Sequence, residues 1–173
     1  MKEQELWTIG HSTRPIQEFL KLLTRHGVRH LVDVRAIPFS RRNPQFNQDA
    51  LSESLEKAKI AYTHIAALGG RRKSRSDSKN AGWRNASFRG YADYMQTPDF
   101  QAAMQELAGL AARAPTVIMC AETVPWRCHR SLIADALAAQ GWTVLEIVGE
   151  AEPKLHRLPA WATTENGRVT YPG

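Results

Sequence analysis

The sequence predicts an α/β fold: a three-layer sandwich with a mostly parallel central sheet of about five strands and helices on both faces. Three observations predict it. Short runs of apolar and β-branched residues alternate with helical stripes along the chain. The strand-like runs are continuously apolar, as strands covered on both sides are. Gly or Pro closes most segments. The 173 residues are read as one domain spanning 1–173, with a basic loop insertion at 71–90 and a tail at 149–173 that wraps the body.

The first strand is Leu6-Trp7-Thr8-Ile9, ended by Gly10. Pro15 to His26 sets Phe19, Leu20, Leu22 and Leu23 on one helical stripe, and Gly27 stands where a helix stop belongs. The second strand runs from His30 to Arg35 and closes at Pro38. The polar loop Ser40-Arg41-Arg42-Asn43-Pro44 leads to a helix, capped by Asn47 or Asp49, through Leu51, Leu55 and Ala58. Ile60 to Leu68 is the third strand, stopped by Gly69-Gly70. Residues 71–90 lack apolar periodicity and are read as a loop long enough to be functional. Trp83, Phe88 and Tyr91 argue that its second half is ordered. Tyr91 to Met95 reads as a short helical turn. Thr97-Pro98-Asp99 opens a helix through Phe100, Met104, Leu107 and Ala111. Thr116 to Cys120 is the fourth strand, a helix follows near Arg127 to Gln140, and Thr143 to Val148 is the fifth strand.

Charge is localised. Lys and Arg total 23 against 17 Asp and Glu, a net +6, and sixteen of the cations are arginine, the residue suited to forked recognition of phosphate and carboxylate. Residues 71–90 hold seven cations and one acid, Asp77, and so carry the whole excess. That asymmetry predicts a partner rich in phosphate, either a small molecule or a nucleic acid. No apolar run approaches the roughly 18 residues of a membrane span, and the N-terminus lacks a signal-peptide core. A cytoplasmic protein with no membrane partner is expected. Neither GxGxxG nor the P-loop pattern occurs, and no cofactor is expected.

In open α/β sheets ligands bind beyond the carboxyl ends of the strands. There the sequence gathers His11 and Ser12 after the first strand, and Asp33, Arg35 and Arg41 after the second. It adds Arg71 and Arg72 after the third, and Cys120 with Glu122, Trp126, Arg127, Cys128, His129 and Arg130 after the fourth. His11, Glu122 and His129 are the candidates for acid–base work, with Asp33 orienting a partner. Ser12, Arg35, Arg41, Arg71, Arg72, Tyr91, Trp126, Arg127 and Arg130 are the candidates for holding substrate. Each has a structural alternative. His11 would merely bond a neighbouring loop, Asp33 would sit in a buried ion pair, Glu122 would cap the next helix, and Cys120 would pack as a small hydrophobe. Asp33 and Arg35 are expected to turn to opposite sides of their strand.

Cys120 and Cys128 are possible thiols. Cys120 precedes a short loop and a helix start, where backbone N–H groups and arginines lower a thiol pKa. Arg127 lies one residue beyond the Cys-x5-Arg spacing of tyrosine phosphatases and rhodanese-like domains. The spacing of the two cysteines is not that of a zinc finger, so no metal site is expected. A nucleophile–base pair of Cys128 with His129 is set aside, because adjacent helical residues do not face each other. The favoured arrangement turns His129 and Arg130 toward the crevice and leaves Cys128 structural.

Together these residues resemble the DUF488 family, a domain of unknown function. The carrying motifs are Thr8-Ile9-Gly10-His11-Ser12, Leu31-Val32-Asp33-Val34-Arg35 with Pro38 and Ser40-Arg41, and Leu68-Gly69-Gly70-Arg71. They continue with Phe88-Arg89-Gly90-Tyr91-Ala92-Asp93-Tyr94-Met95, Met119-Cys120-Ala121-Glu122 and Trp126-Arg127-Cys128-His129-Arg130-Ser131. The likeness runs from about residue 6 to residue 172. It implies a compact α/β sandwich and supports the site residues, but implies no reaction.

The expectation is therefore an enzyme, a hydrolase or transferase, acting on a phosphate-bearing, nucleotide-like or nucleic-acid substrate. A non-catalytic nucleic-acid-binding module using 71–90 is the alternative. A thiol- or metal-dependent protein using Cys120 and Cys128 is the third reading. The basic loop is expected to act as a lid or guide beside the crevice.

Overall fold

The computed structural model describes residues 4–122 and 128–173. Five parallel strands form the sheet: β1 (Glu5–Gly10), β2 (His30–Asp33), β3 (Ala61–His64), β4 (Thr116–Cys120) and β5 (Thr143–Ile147). A two-residue strand, β6 (Lys154–Leu155), adds antiparallel to β5, giving the order β3-β2-β4-β1-β5-β6. Helices α1 (Ile16–Arg25) and α2 (Gln48–Lys57) cover one face, and α3 (Ala86–Tyr94), α4 (Pro98–Arg113) and α5 (Arg130–Ala139) cover the other.

Side-chain alternation along the strands builds the two cores. In β4, Val117 and Met119 join Phe19, Leu23, Leu51 and Leu55 of α1 and α2. The alternate residues Ile118 and Cys120 join Tyr91, Met104, Leu107 and Leu132 of α3, α4 and α5. All five residues of β4 are buried, as a central strand between two helical layers must be.

The strands end earlier than the sequence pattern implies. β2 stops at Asp33, one residue before a last backbone bond from Val34 N to Met119 O, and Arg35 lies beyond it. β3 stops at His64 and gives way to a 3-10 turn over Ala66–Leu68. The loop is shorter than expected, because its last residues are already helical. Asn85 Oδ1 accepts from Ser87 N at 2.8 Å and Phe88 N at 3.2 Å, capping α3. The helical turn expected at Tyr91 to Met95 is the end of this longer helix, whose buried residues are Gly90, Tyr91, Ala92 and Asp93.

The tail packs on the loop. A hairpin of β7 (Thr163–Glu165) and β8 (Arg168–Thr170) turns at Asn166 and Gly167, both at positive φ, as a tight hairpin turn requires. Tyr171 then binds the loop through Gly82 N and Asn80 Oδ1, and its ring meets Trp83 and Trp161. Among the described residues no helix is long and apolar enough to cross a membrane.

Candidate functional site

β1 and β4 are neighbours, yet α1 follows β1 on one face and α5 follows β4 on the other. That divergence opens a crevice at their carboxyl ends, the topological switch point where α/β proteins bind ligands. A cleft of about 770 Å³ lies there. Its wall includes His11, Ser12, Arg35, Arg71, Tyr91, Cys120, Glu122, Cys128 and His129. Backbone bonds from His11 N to Cys120 O (2.8 Å) and from Ser12 N to Ala121 O (2.9 Å) carry the β1–β4 pairing into the cleft.

Arg35 is the best-anchored cation. Its Nε and Nη2 donate to the two oxygens of Asp33 at 2.9 and 2.7 Å. Nη2 also donates to Phe46 O at 2.8 Å, and Nη1 meets His11 Nε2 at 3.4 Å. A guanidinium has five N–H donors, so one Nη1–H is left for the cleft. Tyr62 Oη donates to Asp33 Oδ2 at 2.7 Å, and His64 Nε2 bonds Arg35 O at 2.7 Å. The chain has left β2 by Arg35, whose guanidinium folds back onto the Asp33 carboxylate. Asp33 and Arg35 therefore pair instead of diverging, and Asp33, fully buried, stays behind the cleft wall.

His11 is neutral. Burial, opposed by a hydrogen bond to Ser12 O and reinforced by the charge of Arg35, lowers its pKa to about 4. Its Nδ1 lies 2.7 Å from Ser12 O. A carbonyl only accepts, so Nδ1 bears the proton and Nε2 offers its lone pair to Arg35. The ring stacks on Phe46 at 4.3 Å. His11 thus positions Arg35, and its ring nitrogens are both engaged.

The floor of the cleft carries the thiols. Cys120 and Cys128 are both buried and free, with Cys128 Sγ donating to Cys120 Sγ at 2.6 Å. Burial opposes the Cys120 thiolate. The Cys128 hydrogen bond, the charge of Arg130 and the Glu122 backbone outweigh burial, and the Cys120 pKa is lowered. The same hydrogen bond and burial push Cys128 up, so it keeps its proton.

His129 Nε2 bonds Val34 O at 2.8 Å, and Nδ1 lies 3.5 Å from Cys128 Sγ. Its pKa is lowered by burial. Cys128 and His129 precede α5, so the rule against facing neighbours within a helix does not govern them. The two side chains are in contact, sulfur to Nδ1, where that rule would have held them apart. Gly70 makes room for this contact: a Cβ there would stand 3.0 Å from His129 Nδ1. Among the described residues no three His, Cys, Asp or Glu side chains are grouped to hold a metal.

Several sequence candidates lie elsewhere. Arg41 is exposed and off the cleft wall, although its loop neighbours Ser40 and Asn43 line the cleft. Arg72 donates to Gly69 O and Ala67 O and lies 3.8 Å over the Tyr94 ring, so it braces the 3-10 turn. Arg130 is buried beside the thiols and acts on them by charge. Tyr91 lines the cleft but commits its hydroxyl to Leu68 O at 2.8 Å. Trp126 and Arg127 lie outside the described residues.

The lid reading of 71–90 also changes. Asp93 accepts from Arg75 N, Ser78 Oγ and Asn80 Nδ2, tying the loop to α3. Of its seven cations only Arg71 lines the cleft. Phe46 and Asn43, which the sequence reading passed over, belong to the site or its support. They sit in a polar loop with no periodic signal.

Fold and site together define an α/β protein with an arginine- and thiol-lined cleft at its switch point. The chain belongs to the family described as domain of unknown function DUF488, whose model matches residues 15–137. The match is narrower than the likeness from residue 6 to residue 172, and leaves out the His11 motif. No curated protein matches the chain. No solved structure matches it either.

Proposed function

We propose that the protein is an enzyme acting on a phosphate-bearing substrate, with Cys120 as nucleophile and Arg35 and Arg71 as the anion clamp. The observation that carries the reading is Arg35: a buried guanidinium, fixed by Asp33, His11 and Phe46, with one donor left on the cleft wall. A pre-oriented donor costs no reorganisation when charge develops on a phosphoryl oxygen. In the reaction a Cys120 Sγ–phosphorus bond forms as the leaving oxygen departs with the electron pair of its phosphorus bond. Glu122, exposed on the cleft wall, then takes a proton from water, which attacks phosphorus and releases the thiolate. An acceptor alcohol in place of water makes the same site a transferase.

The test is a turnover screen of phosphomonoesters and nucleotides with wild type, Cys120→Ser and Arg71→Ala. Cys120→Ser should lose more than about a thousandfold in kcat, and Arg71→Ala should chiefly raise KM. Turnover that survives Cys120→Ser refutes the nucleophile.

A second reading has its own observation. Arg71, Lys73 and Arg84 are exposed and make no ion pair among the described residues. A nucleic-acid-binding surface would use them. A salt titration of single-stranded RNA binding should then steepen with these three cations present and flatten when all become Ala, with Cys120→Ser neutral.

A further inference from the structure

We infer that Cys120 and Cys128 form a reversible dithiol–disulfide couple, oxidised by a hydroperoxide, with His129 as the proton acceptor for the closing step. The inference goes beyond the phosphate reading and stands on the sulfur geometry. The two sulfurs lie 2.6 Å apart, whereas a disulfide bond is about 2.05 Å. Closing the bond therefore needs only side-chain adjustment. Both residues line the cleft while being 1% and 7% exposed. That passage suits a small oxidant and excludes a folded protein.

The two thiols are also differentiated by their neighbours. Cys120 receives a hydrogen bond from Cys128, and the charge of the buried Arg130 acts on it. It is the sulfur that carries the electron pair. Cys128 holds the proton and has the Nδ1 of His129 3.5 Å away. The Nε2 of that ring is 2.8 Å from Val34 O, so Nδ1 is the nitrogen that faces the sulfur. A nucleophilic sulfur, a second sulfur in bonding reach and a base for that second sulfur are the parts a resolving couple needs.

The steps balance. Cys120 releases its proton to water, its thiolate attacks the distal oxygen of ROOH, the O–O bond breaks, RO⁻ leaves and takes that proton back from water as ROH, and Cys120 becomes a sulfenic acid. His129 Nδ1 accepts the Cys128 proton. The Cys128 thiolate attacks the sulfenic sulfur, and the sulfur–oxygen bond breaks. The departing hydroxide recovers the proton from His129 as water. In sum, two thiols give up two electrons and ROOH becomes ROH and water. A dithiol reductant reverses the step by exchange, restoring both thiols.

The test uses the full chain, reduced, freed of reductant and exposed to stoichiometric hydrogen peroxide. Wild type should lose both titratable thiols and the mass of two hydrogens. Dithiothreitol should return both, and dimedone should find no stable sulfenic acid. Cys128→Ser should instead stop with a stoichiometric dimedone adduct on Cys120. His129→Gln, which keeps a donor for Val34 O, should form the sulfenic acid normally but close the disulfide at least about tenfold more slowly. Two thiols remaining after treatment of the wild type, or Cys120 advancing to the sulfinic acid with Cys128 still reduced, overturns the couple. Neither readout uses a phosphate substrate, so failure of the proposed reaction leaves this result intact.

Discussion

Replacing His156 by Gln should remove most of one pH-dependent part of the fold's stability. His156 follows β6, and its Nε2 and Nδ1 lie 2.6 Å from Asp135 on α5 and 2.6 Å from Glu146 on β5. Tyr171 Oη adds a bond to Asp135 at 2.6 Å. The imidazole thus clamps the tail to the sheet and to α5. Burial lowers its pKa, but bonds and charges from Asp135 and Glu146 overcome burial and raise it from 6.5 to about 9. The folded state therefore holds a proton that the unfolded chain releases near pH 6.5. The stabilisation is full below about pH 6.5 and is lost as pH rises through about 9. At about 1.4 kcal/mol per pKa unit the contribution is about 3 kcal/mol. Urea unfolding of wild type and His156→Gln at pH 6 and pH 10 measures it. Wild type should lose about 3 kcal/mol more than the variant across that interval, with the two curves converging at high pH. Parallel losses in the two proteins would refute the clamp.

Three other perturbations separate structure from site. Asp33→Asn strips the counter-charge from buried Arg35 and should cost about 3–5 kcal/mol in urea unfolding, whereas Tyr62→Phe, which removes one hydrogen bond to Asp33, should cost about 1 kcal/mol. Gly69→Ala places a Cβ 2.5 Å from the Ala36 backbone and should destabilise by about 1–3 kcal/mol or more, read as a fall in Tm. Arg72→Ala should lower stability by about 1 kcal/mol through the lost Tyr94 contact and leave phosphate binding by calorimetry unchanged. Arg71→Ala should do the reverse.

The layers were legible in the sequence because burial on both faces writes itself as apolar runs. Thr116–Cys120 needed no context to be recognised. The ends of β2 and β3 were not legible, since Val34 and Ile65–Leu68 continue the apolar run after the ladder stops. Val34, Ile65 and Leu68 are buried by loops and a 3-10 turn, and hydropathy records burial without recording hydrogen-bond pattern. The full extent of α3 was hidden for the converse reason: Gly90 and Asp93 are among its buried residues. Asp93 is there to bind the loop, and Gly90 to let the Arg72 and Lys73 backbone pass, since any Cβ would collide with Arg72 O. The site's location followed from strand ends, but its wiring did not. Whether an arginine faces a ligand or a carbonyl depends on contacts such as Arg72 to Tyr94 and Arg35 to Phe46, which have no sequence signature.

That wiring fixes the electrostatics of the cleft. Each of its two histidines has one ring nitrogen held by a backbone carbonyl, Ser12 O for His11 and Val34 O for His129. Each carbonyl selects the tautomer and so turns the opposite nitrogen into an acceptor, toward Arg35 in one case and Cys128 in the other. Burial then keeps both rings neutral. A protonated His11 would set two like charges against each other at Arg35, which is one reason its pKa falls to about 4. The histidines therefore contribute geometry at neutral pH, and the positive charge of the cleft comes from arginines that do not titrate there. Anion affinity of Cys120→Ser, measured with a non-titrating sulfate, should accordingly not rise as pH falls from about 8 to about 6.5. An affinity that instead climbs as pH falls through about 6.5 would mean that a cleft histidine takes up a proton with the anion, contradicting the assignment of both tautomers.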